Sequence, residues 1–79
     1  SEHDPLQAFL DACCELHPRA WCRSADLWRA YTCWVEEHQE RYPLSRGAFA
    51  AQLKVHGCRT DRTKSARLWR GLALVHKER

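Results

Sequence analysis

No apolar run in this 79-residue chain approaches the ~20 residues that a membrane-crossing helix requires, so no membrane span is expected. No charged-then-apolar leader opens it, and no secretory signal is legible. The chain begins with Ser1 rather than Met, which is read as a fragment of a longer protein. The five cysteines, Cys13, Cys14, Cys22, Cys33 and Cys58, are odd in number and form no Cys-x-x-Cys pair. A disulfide framework is therefore not expected, and reduced thiols in a cytoplasmic protein fit better. Internal repeats, low-complexity segments and interior linkers are also lacking.

Catalytic chemistry is equally sparse. Gly47 and Gly57 stand in the wrong context for a nucleotide-binding loop. Cys13 and His17 are one helical turn apart, but the scattered Cys and His lack the paired spacing of structural zinc sites. Ser24, Asp26 and Ser45 read as helix-start residues, and His38 and His56 fall on inward stripes. Glu36, Glu37 and Glu40 cluster on a solvent side. No acid–base pair or nucleophile constellation emerges, so the chain is not expected to be an enzyme, and no catalytic residue, metal ligand or cofactor is assigned.

What is present is an ordinary globular composition, 44% hydrophobic and 29% charged, with four Trp, two Tyr and two Phe. Large rings bury much apolar area, which makes a small core feasible without staples. Charge is polarised along the chain. Residues 1–44 carry four Arg against eight Asp and Glu; residues 45–79 carry nine Lys and Arg against Asp61 and Glu78. A folded unit would present a cationic C-terminal half, whose expected partner is a polyanion.

Periodicity predicts a first helix from Pro5 to about His17, with Asp4 as cap, Gln7 as capping-box partner and Leu6, Phe9, Leu10, Cys13 and His17 on one stripe. Pro18 ends it. Ala20-Trp21-Cys22 reads as a brief strand. Ser24 caps a second helix that buries Leu27, Ala30, Tyr31, Trp34 and His38 and fades near Glu40. After a connection at Arg41-Tyr42-Pro43-Leu44, Ser45 caps a third helix from Arg46 to His56, stopped by Gly57. Its inward residues are Phe49, Leu53 and His56. Its outward arc is Gly47, Ala48, Ala51, Lys54 and Val55, with Arg46 and Gln52 at the flanks. Cys58-Arg59-Thr60 reads as a strand, residues 61–66 as a basic hairpin tip, and residues 67–75 as a second strand with a bulge at Gly71. The tail, residues 76–79, is expected to fray.

The expected fold is α+β: one winged helix-turn-helix domain over residues 1–79, core about 5–75, with three helices, a small antiparallel sheet and a basic β-hairpin wing. In such a unit the third helix is offered to the DNA major groove and the wing to adjacent phosphates. The candidate DNA-binding residues are Ser45, Arg46, Gln52, Lys54, Arg59, Arg62, Lys64 and Arg67. Small residues on the helix arc allow close approach but few hydrogen bonds to bases, so backbone contacts dominate and base readout is modest. Trp34 and Trp69 fall on core stripes. Trp28 and Trp21 are either core-edge residues or exposed contacts for a partner.

The run "LWRAYTCWVEEHQERYPLSRGAFAAQLKVHGC" followed by "ARLWRGLAL" resembles the C-terminal winged-helix domain of phage and plasmid primase–helicases of the poxvirus type. Leu27, Tyr31, Trp34, Leu44-Ser45, Phe49, Leu53, Gly57 and Arg67-x-Trp69-x-Gly71-x-x-Leu74 carry the likeness, with "FLDACCEL" matching the first helix. These are mostly core positions. The resemblance implies a module appended to a helicase motor, contacting origin or template DNA in the replication of a mobile element. Two rivals stand beside it: a winged helix that docks a partner protein, and a small stand-alone transcriptional repressor.

Overall fold

A computed structural model describes residues 6–39, 41 and 43–75. The elements run α1 (Gln7–Cys13), β1 (Cys14–Arg23), α2 (Ser24–His38), α3 (Arg46–Val55), β2 (Arg59–Arg62) and β3 (Arg67–Leu74). The three strands form one antiparallel sheet in the order β1-β3-β2. This is the α+β, winged-helix architecture that the sequence predicts.

The core is aromatic. Phe9 of α1 meets Tyr31 edge-on at 5.3 Å and Trp34 at 5.9 Å, both on α2. Phe49 of α3 lies 4.8 Å from Tyr31 and 5.2 Å from Trp28. Leu6, Leu10, Leu27, Leu53, Trp69 and Leu72 complete the buried cluster together with Cys14, Cys22 and Cys58. The helices thus converge on five rings, each of which buries far more area than an aliphatic residue. Tyr31 does more than pack: its hydroxyl accepts a 2.9 Å hydrogen bond from the Leu44 backbone N–H, tying the turn before α3 to α2.

Both ends of α3 follow local chemistry. Ser45 Oγ accepts from the Ala48 N–H at 3.3 Å, an N-cap. At the other end Gly57 N–H donates to Lys54 C=O and Cys58 N–H to Leu53 C=O, each at 3.0 Å, with Gly57 at φ +91°. That is a Schellman closure, and it turns the chain into β2. The helix ends at Val55, with His56 as its C-cap.

The structure corrects the N-terminal third. α1 stops at Cys13, and Cys14 to His17, expected to be helical, begin β1. Cys14, Glu15 and Leu16 pair with Leu74, Ala73 and Leu72, and Val75 N–H donates to Cys13 C=O. Sheet pairing over this stretch overrides the helical stripe, and His17 is exposed. The brief strand at residues 20–22 is the far arm of a ten-residue strand. Gln7 Nε2 donates to Asp11 one turn on, while the capping box expected of it with Asp4 lies outside the described residues. Ser24 is the first residue of α2 rather than its cap, because Arg23 is still extended and paired with Leu68. α2 ends earlier than expected, at His38, where Gln39 adopts a left-handed conformation at φ 50°. His38 is exposed and stacked on Trp34. Cys14 is buried, while Cys33 is exposed. The expectations for Asp4, Pro5 and the tail at 76–79 lie outside the described residues.

The bulge expected at Gly71 sits in the ladder opposite it. Residues 17–20 of β1 are unpaired there, while Leu16 pairs with Leu72 and Trp21 with Arg70. Gly71 has φ +102°, and a Cβ on it would lie 3.4 Å from Cys58 Cα. That distance is ordinary van der Waals contact, so it is the left-handed backbone that favours glycine here.

Candidate nucleic-acid interface

β2 and β3 form a hairpin that runs back beside α3. β2 runs on past Thr60, its expected end, so Arg62 lies on a strand and the tip is confined to residues 63–66; β3 begins at Arg67 as expected. Thr63 organises that tip. Its N–H and hydroxyl both donate to Ala66 C=O, at 2.8 and 3.2 Å, and its Oγ1 accepts from the Ala66 and Ser65 N–H groups. Lys64 is exposed at this tip.

Between the hairpin and the first turns of α2 and α3 lies an open groove of about 640 Å³. Arg46, Arg62 and Arg67 line it, with Trp28, Phe49 and Trp69 contributing apolar surface. Arg46 holds its guanidinium carbon 5.2 Å from the Trp28 ring centroid, a cation–π contact that orients the charge at the start of α3. Trp28 is accordingly a core-edge residue, half-buried between Tyr31 and Phe49. Arg62 and Arg67 are register partners. Like charges placed directly opposite destabilise an antiparallel pair. Both are exposed, and both face the Arg46 groove. Asp61 also borders the groove, but its carboxylate is engaged by Arg70 Nε. That hydrogen bond, with the adjacent Arg62 N–H and the Arg70 and Arg59 charges, holds the Asp61 pKa below its usual value despite slight desolvation.

The eight candidate residues do not share one surface. Arg46, Arg62 and Arg67 line the groove; Ser45, the N-cap before Arg46, and Lys64, on the exposed hairpin tip, adjoin these residues in the chain but do not line it. Lys54 projects from the solvent stripe of α3, among exposed Gly47, Ala51 and Val55. Gln52 and Ala48 are half-buried at the edge of that stripe, and neither lines the groove. Strand alternation puts Arg59 on the other face of the hairpin from Arg62, in register with Arg70.

Arg70 is absent from the sequence-derived set, as are the tip-forming Thr63 and the Trp28 platform. Their signals were the alternation of β3, an ST-turn residue at the hairpin, and a Trp beside the helix stripe; only pairing and packing give these meaning. Among the described residues no cluster of His, Cys, Asp and Glu has the arrangement of a metal site, and no helix is long and apolar enough to cross a membrane. Burial first, then Cys58 and Asp26, push the Cys22 thiol up to about 11, and burial raises Cys58 as well. Comparison with protein families, curated proteins and solved structures finds no match to this chain.

Proposed function

We propose that this chain is a DNA-binding module that grips the duplex backbone in the groove between α3 and the wing. The observation that carries it is the Arg62–Arg67 pair, two like charges set opposite each other and aimed, with Arg46, into one groove. Folding alone disfavours that pairing; bound phosphates would offset it. Local rules broken in this way tend to mark functional sites. Lys64 extends the grip at the wing tip. The outward stripe of α3 carries Lys54 amid small and aliphatic residues, which supports shallow groove contact with little base readout.

In this reading the chain binds rather than catalyses. It is the C-terminal module of a mobile-element replication primase–helicase, working in the cytoplasm beside a motor domain. The likeness of its core positions to that family supports the parent-protein assignment. The residues encoded upstream of Ser1 test it: a nucleotide-binding motor there agrees, and a start codon directly before Ser1 refutes it.

The binding reading is tested by fluorescence anisotropy on a short duplex. Arg62→Glu with Lys64→Glu is expected to weaken binding at low salt about tenfold or more, equivalent to about 1.4 kcal/mol. An unchanged affinity removes the wing from the interface. Binding that withstands high salt points instead to an apolar protein-docking surface.

A further inference from the structure

The sheet face turned away from the groove carries a second constellation. Trp21 of β1 is in register with Arg70 of β3, and Arg70 with Arg59 of β2. One rung therefore reads Trp, Arg, Arg across all three strands. The neighbouring rung on the same face is Arg23, Leu68 and Asp61. Trp21 is 52% exposed, and Arg23, Arg59 and Arg70 are exposed as well. The electrostatics agree with the register, since Arg70 and Arg59 both act on the Asp61 carboxylate.

Three guanidinium groups thus share these two rungs with one carboxylate, next to an indole left half in water. The excess charge suits a polyanion, and the ring suits a flat apolar partner. A nucleotide supplies both in one unit. A duplex keeps its base faces stacked inside, whereas a single strand offers them to an aromatic side chain.

We propose that the outer face of the sheet binds single-stranded nucleic acid, with Trp21 as a stacking platform and Arg23, Arg59 and Arg70 as phosphate contacts. Arg46, Arg62 and Arg67 line the groove, whereas Trp21, Arg23, Arg59 and Arg70 do not; the two sets of contacts are distinct and meet only at Asp61 and Leu68, so this one does not depend on the groove reading. If both hold, one small domain grips a duplex on one side and a single strand on the other, the arrangement found where a duplex opens.

The test uses the 79-residue chain with a labelled oligo-dT of about 15 nucleotides, within the site sizes of such surfaces, and a duplex measured in parallel. Trp21→Ala is expected to weaken oligo-dT binding about fivefold or more, the equivalent of one lost base stack, while leaving duplex affinity unchanged. Trp21→Phe retains most of the oligo-dT affinity. Arg62→Glu with Lys64→Glu gives the reverse pattern, losing duplex and keeping the single strand. Circular dichroism confirms that each variant is folded. Failure of the wild-type chain to bind oligo-dT overturns the proposal, and so does an equal loss of both ligands in Trp21→Ala. Displacement of oligo-dT by polyglutamate as readily as by unlabelled oligo-dT also overturns it, in favour of an acidic protein partner.

Discussion

Replacing Arg62 and Arg67 together with Ala separates a phosphate-gripping groove from a merely basic surface. Four cations border the groove and its wing tip: Arg46, Arg62, Arg67 and Lys64. If each neutralises one phosphate, log K falls with log salt at a slope of about −3.6, using about −0.9 per contact. Raising salt from about 50 to about 200 mM then lowers affinity about 150-fold. With two contacts removed, the slope drops to about −1.8 and the same change lowers affinity only about 12-fold. Anisotropy titrations at four or five salt concentrations read both slopes. The fold itself supplies the control. Arg62 and Arg67 face each other with like charge, so their removal relieves repulsion and the melting temperature does not fall. Equal slopes for the two proteins would refute the groove as the site of phosphate contact. A large fall in melting temperature would show instead that these arginines serve the fold.

Tyr31→Phe removes the acceptor of the Leu44 N–H while keeping the ring; it is expected to lower stability by about 1 kcal/mol, read as a lower urea midpoint at unchanged slope. Gln39 closes α2 in the left-handed region at φ 50°, so Gln39→Gly should raise the urea midpoint, by up to about 1 kcal/mol of stability. The Cys22 thiol has a folded-state pKa of about 11 against an ordinary 9.0. Its contribution to stability is therefore complete below pH 9.0 and is lost as pH rises toward about 11. Denaturation midpoints should fall across that window and fall less in Cys22→Ala, and an identical pH profile for the two would show that Cys22 is not desolvated as described. These expectations concern three different parts of the fold and are separable by experiment.

The helical half was largely legible because its signals are local. Leu27, Tyr31 and Trp34 repeat at helical spacing, and Ser45 and Gly57 are residues whose side-chain chemistry or backbone freedom suits a helix start or stop. The same logic failed between Cys14 and His17. There the apolar spacing continues that of α1, but the partners that decide the conformation, Leu72 to Leu74, lie almost sixty residues away along the chain. Helical spacing cannot see them. The hairpin was found from its composition, yet its register was not, and register decides which face each arginine takes.

The sequence by itself determined the class of fold, the aromatic core and the concentration of positive charge in the C-terminal half, since periodicity, ring count and charge order are properties of the linear chain. Only the tertiary structure decided how those charges are distributed. Antiparallel pairing set Arg62 against Arg67 and Arg59 against Arg70, and side-chain alternation sent the two pairs to opposite faces. One basic run thereby became two surfaces, because a strand's two faces are one residue apart in sequence but separated by the thickness of the sheet.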